Sequence, residues 1–511
     1  MPRDSASHAL NRLAYGPRPG EIERVARAGV LRWIDAQLEP DKIDDAAFTR
    51  RERDFDILNY DRGDLARLYA EVQRARQERK RMGDTAADKP DDSPVAMKGR
   101  RFAAQVQQLA VVRAALSERQ LYEVMVDFWT NHFNVYFAKG ADRFLTPDYI
   151  EHAIRPHAMG RFEDLLIATA KSPAMLFYLD NWESVAPGAS PPVVARAHGR
   201  AWIGVGAQHA APLRPARAPK GINENYAREL LELHTLGVDG GYDQHDVIEV
   251  ARIFTGWSIR RPRQGGDFEF HDWAHDTGDK QVLGIEFERG HGMDEGIRLL
   301  KQLANHPATM HHLSRKLCQR FVSDDPPDGC VDDAVAAWQR TRGDIREVLR
   351  AIFHGPDFWA AANVRAKVKT PLEFVVSAAR AAAVDPDTTP RLAQMVARLG
   401  EPLYLHVAPD GYPEKEDAWV NSGALLDRMN AAVALAAGRL PGAVATLDSV
   451  APVTADPEQL IADIDDGILG GTMSENTKRV IGEQLAGVRD PAQARALAVG
   501  LAIGGPEFQR Q

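Results

Sequence analysis

Helical periodicity runs through almost the whole of this chain, and β patterning is confined to one stretch, about 257–287. A chain patterned this way has to bury the apolar stripes of its helices against one another. The expected fold is therefore mostly α: a multi-helical globular fold with a small antiparallel β insertion. The punctuation supports this. Residues 19–38 read as two short helices broken at Gly29, and 62–80 and 97–116 as long helices flanking an Asp/Pro-rich loop at 83–95. Ser117 and Gln120 form an S-x-x-Q pattern ahead of the helix LYEVMVDFWTNHF. Residues 184–220 are rich in Pro, Gly and Ala without a sustained period, and read as a mobile loop, either a lid or a tolerated insertion. WSIRR, DFEF and QVLGIEF are the β runs. Beyond 294 helices resume through 383. A C-terminal helical region, about 455–511, opens its helices with Asp456-Pro457, Ser474 and Asp490-Pro491.

One short pattern recurs. LRAIFHGPDF at 349–358 and LAVGLAIGGPEF at 497–508 each end a helix on Gly-Pro-acid-Phe, which lets an aromatic fold back into the core; SPAMLFY at 172–178 is a looser copy. With 63 Lys and Arg against 72 Asp and Glu, the net charge is −9, which argues against general nucleic-acid binding. The basic run RARQERKR at 74–81 reads as a solvated helix end. No run of about 18 apolar residues is present, so no membrane span is expected. Cys318 and Cys330 are the only cysteines, and they are able to form one bridge at most.

The chemistry-bearing stretch is 221–257, GINENYARELLELHTLGVDGGYDQHDVIEVARIFTGW. On a helical wheel of about 100° per residue, Glu229 and Glu232 fall within about 40° of Asn225, while Tyr226, Leu230 and Leu233 form an apolar side. One amide and two carboxylates thus share a face, and are candidates to bind a divalent metal or to act as an acid–base pair. The structural alternative is ion pairing, Glu224 with Arg228 at i, i+4 and the other acids with neighbouring helices. Asp243 and Asp246 read as a cap and third-position acid of the next helix. His275-Asp276, with His271 nearby, lies between the β runs and suits metal binding or proton transfer, or a hydrogen-bonded turn. Asn131-His132 sits in an aromatic helix, where a lone histidine is more often a core residue. Asp180-Asn181 closes the SPAMLFYLDN block. The candidate catalytic residues are Glu229, Glu232, His275 and Asp276; the candidate substrate-binding residues are Asn223, Asn225, Arg228 and Asp180. His152, His157, His311 and His312 stand at no recognisable ligand spacing. Zincin, di-iron, α/β-hydrolase and P-loop signatures are all missing from the sequence.

The 221–257 stretch also resembles the signature of a bacterial family known only as domain of unknown function 1800. Other blocks match in order: HALNRLAYGPRPGEIERV at 8–25, MVDFWTNHFNV at 125–135, SPAMLFYLDN at 172–181, HDTGDKQVLG at 275–284, HPAT at 306–309, KTPLEFVVSAAR at 369–380, and a glycine–tyrosine then tryptophan block at 411–419. Their spread implies one extended helical domain over 1–511. The resemblance implies no activity, but its members often look exported beside a second, exported family. MPRDSASHALNRLAYG has no apolar leader, so the expectation is a cytoplasmic protein or one exported with a partner. Two functions are carried forward. One is a hydrolytic or metal-assisted enzyme using the carboxylate and histidine groups, with the 184–220 loop as cover. The other is a non-catalytic binding or assembly protein acting with a co-encoded exported partner.

Overall fold

Capping residues define where the helices begin. Asp243 and Asp246 form a reciprocal capping box on helix Gln244–Ile253, and Asp456, Ser474 and Asp490 accept backbone N–H groups at the starts of Pro457–Ile464, Glu475–Leu485 and Pro491–Gly504. In the computed structural model, which describes residues 2–81, 93–190, 221–454 and 456–511, the fold is 63% helical with 4% in strands. Helix thus exceeds half and strand stays under a tenth, as the periodicity requires. The expected loops fall mainly outside the described residues: 83–92 of the first, and 191–220 of the second together with any lid role for it.

Ser117 acts differently from a capping-box residue. It ends helix Pro94–Leu116, and its Oγ accepts from the Arg119 N–H and donates to Asp45, while Gln120 turns back to donate to the Ala114 and Ser117 carbonyls. The β stretch is two hairpins. Strand β1 (Trp257–Ile259) pairs antiparallel with β2 (Phe268–Phe270), and β3 (Lys280–Val282) with β4 (Ile285–Phe287). QVLGIEF, a single run in the sequence, folds back on itself at Leu283-Gly284, both at positive φ (51° and 74°), as a tight two-residue hairpin demands. A two-residue pair, β5 (Asp385–Pro386) with β6 (Ala443–Val444), has no sequence signal.

A cluster of buried apolar side chains runs from Ala9 to Phe508. Within it, Trp129 and Phe133 pack with Phe162, which in turn meets Trp338, and Phe128 packs edge-on against Trp129. The Trp129 indole donates to the Ala158 carbonyl. These contacts fix helix Gln120–His132 in the centre of the molecule. Phe358 and Phe508, the two aromatics of the Gly-Pro-acid-Phe repeats, are both buried, as that pattern implies. Cys318, on helix Pro307–Phe321, is bridged to Cys330, on Asp328–Thr341.

Candidate functional site

Helix Gln120–His132 is apolar and aromatic on one side and polar on the other, and its polar side faces helix Pro307–Phe321 and the loop 401–415. The loop is clamped to the helix end by reciprocal hydrogen bonds: Asn131 Nδ2 donates to the Tyr412 carbonyl at 2.8 Å, and the Tyr412 N–H donates to Asn131 Oδ1 at 2.7 Å. Gly411 makes this approach possible. Its φ is +74°, and a Cβ there would collide with the Asn131 carbonyl. Asn134 adds hydrogen bonds to the His406 and Ala408 carbonyls, and the Tyr178 hydroxyl donates to the Val407 carbonyl.

Between these elements lies a polar cavity of about 360 Å³, lined by His132, Lys316, His406, Asp410, Tyr412 and Glu414 among others. Lys316 Nζ sits 3.1 Å from His132 Nδ1. On the other side of the ring, His132 Nε2 is 3.3 Å from the His234 carbonyl. A carbonyl only accepts, so the proton belongs on Nε2 and Nδ1 is left to accept from Lys316. Burial pushes the Lys316 ammonium below the usual lysine range, with Glu414 and Asp410 pulling the other way. Three histidines surround this amine. Burial and the Lys316 charge hold His132 well below its ordinary value, His234 at about 3 and His312 at about 4, so all three are neutral near pH 7. His406 Nε2 lies 3.0 Å from Asp410 Oδ1 at the rim.

A second, smaller cavity of about 30 Å³, room for a water molecule, shares Asn131, Tyr412, Pro413 and Glu414 with the first. Asp127 and Glu401 line it. Burial pushes Asp127 up to about 7, with Glu414 and Glu373 adding to the shift against Arg320; burial and the neighbouring Asp127 push Glu401 up to about 8. Arg320 pairs with Glu373 and stands 3.7 Å from Glu414 Oε2.

The acidic face of helix Glu224–Glu232 lines neither cavity, and Glu229 is linked to this site through the charge of Asp410. Glu229 is half-buried, and burial, Glu232 and Asp410 raise its carboxyl above the usual glutamate range. Glu232 accepts from the Tyr242 hydroxyl at 3.1 Å. His234 points inward, its ring against Phe133 and His132. Asn223 caps the helix, accepting from the Tyr226 N–H and donating to the Leu179 carbonyl; Asn225 is exposed, and Arg228 donates to Gln244.

His275 and Asp276 lie in a different network. His275 Nδ1 is 3.0 Å from the Thr255 carbonyl and Nε2 is 3.4 Å from Glu295. Asp276 takes a two-pronged hydrogen bond from Arg252 at 2.9 and 3.0 Å. Burial raises the Asp276 carboxyl, but Arg252 and the Gly278 N–H outweigh it and hold it below the usual range. Among the described residues, no hydrogen bond or ion pair joins this network to Glu229 or Glu232. Asp180, at φ 59°, pairs with Lys139 at 3.0 Å. No group of three or more His, Cys, Asp or Glu among the described residues is gathered to hold a metal ion.

Spacing alone did not single out Lys316, Asp410, Glu414, Asp127 or Glu401. One readable signal was present: His312, Lys316 and Arg320 stand at successive i, i+4 steps, a polar stripe running beside the buried Leu313 and Leu317. The loop residues carry no period and come together only through the fold.

A family model described as a protein of unknown function (DUF1800) matches residues 8–510, and the chain belongs to that family. No curated protein and no solved structure matches the chain.

Proposed function

We propose that this member of the family is a hydrolytic enzyme of the acid–base type, working in the polar cavity beside Lys316. The observation that carries the reading is the Lys316–His132 contact. A structural lysine at depth is normally paired with a carboxylate. Here Nζ meets a neutral imidazole in a cavity wide enough for a small polar substrate. Burial moves Lys316 in the direction that favours the free amine, the form a general base needs.

In this scheme His132 holds Lys316 in place, and Lys316 takes a proton from a water molecule attacking the substrate. Glu229, raised in pKa at the Asp410 rim, is the proton donor to the leaving group. Groups pushed toward neutrality from opposite directions are a common basis for assigning acid and base. His275 and Asp276, held in their own ion-paired network, have a scaffolding role in this reading. A panel of fluorogenic esters, phosphoesters, amides and glycosides, run with wild-type protein, Lys316→Met and His132→Gln, tests it. Turnover lost by at least a hundredfold in both variants, with unchanged circular dichroism, is the expected result. Turnover that survives Lys316→Met would reject the assignment.

The alternative, a binding or assembly protein acting with an exported partner, draws on two observations. Leu425 and Leu426 are exposed on helix Ser422–Ala436, and disulfides such as Cys318–Cys330 persist mainly in oxidising compartments. Fractionation with and without the co-encoded neighbour separates this reading from a cytoplasmic enzyme. No helix among the described residues is long and apolar enough to cross a membrane.

A further inference from the structure

The acid–base scheme leaves one part of the site unused, the cavity of about 30 Å³ beside the polar one. Its lining brings together three separate sequence blocks: Asp127 and Asn134 come from 125–135, Thr370 from 369–380, and Tyr412 and Glu414 from 411–419. Asp127 stands on helix Gln120–His132, and Glu401 begins the loop 401–415 that seats on that helix. Glu401 is 7% exposed, and its Oε2 accepts from the Leu372 N–H at 2.8 Å. Two other lining residues hold open hydrogen-bonding atoms. Arg320, with its side chain 4% exposed, has no acceptor for its Nε–H, and Glu414 Oε2 accepts no hydrogen bond, Arg320 Nη1 standing 3.7 Å away. A buried water makes about three hydrogen bonds, and an open donor and an open acceptor beside a water-sized space are the partners it needs.

Carboxyl groups lining so small a space repel when both are ionised, so the pair keeps one proton as pH rises. Burial, with Glu414 and Glu373, raises Asp127 to about 7 against Arg320. Burial, Asp127 and Glu373 raise Glu401 to about 8, against the Leu372 N–H and the Thr370 side chain. The neighbours respond in turn. Burial lowers Arg428 of helix Ser422–Ala436 to about 10 against Glu373 and Glu401, while burial and Asp127 raise the hydroxyls of Tyr15 and Tyr404, and burial and Glu401 that of Tyr412. With one proton present, a water in the cavity joins an acid to a carboxylate, and loop and helix are tied. Without it, two like charges face each other across that water and push the loop from the helix. The same loop supplies His406, Asp410, Tyr412 and Glu414 to the polar cavity, so its seating shapes the site.

We propose that Asp127 and Glu401 share one proton through a water molecule in this cavity, and that the shared proton latches loop 401–415 onto helix Gln120–His132 and so regulates the polar cavity beside Lys316. The inference rests on the acid–base reading for what that cavity does; the latch itself is measured without substrate. The experiment is hydrogen exchange of the full chain, read by mass spectrometry and corrected for the intrinsic rate. In wild type, protection of peptides covering 401–415 should fall at least tenfold between about pH 6 and about pH 9, with helix Ile345–His354 unchanged within about twofold. Asp127→Asn and Glu401→Gln each put a permanently neutral amide in place of one acid. In either variant loop protection should stay within about twofold over the same range, and one variant answers if the other does not fold. An infrared band of protonated carboxyl, present in wild type at about pH 6 and gone by about pH 9, should titrate at lower pH in both variants. The latch is overturned if loop protection in wild type does not change, if it falls equally in the variants, if helix Ile345–His354 loosens with it, or if the infrared band is missing. No readout uses turnover, so a silent substrate panel rejects the acid–base reading without touching this result.

Discussion

Replacing Lys280 by Met decides whether the His275–Asp276 block is scaffolding. The Lys280 side chain is 0% exposed and that of Glu295 is 1% exposed. Lys280 Nζ donates to Glu295 Oε2 at 2.7 Å and also to the Asp276 and Gly278 carbonyls. Burial raises the Glu295 carboxyl, but hydrogen bonds from His275 and Lys280 outweigh it and hold it below the usual glutamate range. Without Lys280 the carboxylate keeps only His275, at 3.4 Å. An uncompensated buried charge costs about 3–5 kcal/mol. At roughly 2 cal/mol/K of unfolding entropy per residue, a chain of this length should lose about 3–5 °C in Tm. The sign of the pH effect follows from the lowered pKa: the Glu295 contribution is present above the ordinary glutamate pKa and is lost as pH falls through the folded value. Lys280→Met should move that loss to higher pH. Lys280→Met/Glu295→Met should cost less than the sum of the single changes by about 1–3 kcal/mol. Calorimetry and urea unfolding read both quantities. A single-variant cost under about 1 kcal/mol, or strict additivity, would refute the reasoning.

Three further outcomes are expected. Gly411→Ala forces a Cβ into the Asn131 carbonyl at positive φ and should cost more than about 1 kcal/mol in urea unfolding, with a loss of any activity found in the substrate panel, because loop 410–415 no longer seats on the helix. Cys318→Ser/Cys330→Ser opens a bridge of sequence separation 12 and should cost about 3 kcal/mol, with reductant reproducing the loss in wild type and having no effect on the variant. Stability should fall as pH drops from about 6.5 toward 4, by up to about 1.4 kcal/mol per pH unit for each of His132, His234 and His312, because the unfolded chain binds protons that the folded one refuses. Asp127, raised to about 7, acts with the opposite sign, its contribution lost as pH rises through 7, so Asp127→Asn should steepen the fall in stability between about pH 6.5 and 4.

The helical architecture was legible because it is written locally. Asp243, Asp456, Ser474 and Asp490 start helices by hydrogen bonds to residues two or three positions on, and Gly29 separates Glu21–Ala28 from Val30–Gln37. The two-residue hairpin at Leu283-Gly284 was not legible, because a leucine at positive φ contradicts its own preference and is imposed by the pairing of β3 with β4. At the site, the wheel places Glu229 and Glu232 on one face. What the wheel omits is the partner of that face. Asp410 is 181 positions from Glu229 in sequence, and Lys316 is 184 from His132. Such pairs follow from packing of the 120–132, 224–232 and 307–321 helices against loop 401–415, which no local pattern encodes.

The most direct test of the account is the titration of Lys316 itself, read as the pH dependence of its labelling by an amine-reactive reagent, peptide by peptide, in the folded protein. Lys316 should label with a midpoint clearly below the ordinary lysine range, and unfolding in urea should return it to that range. A Lys316 midpoint within or above the ordinary lysine range would contradict the proposed base and with it the acid–base reading of the cavity.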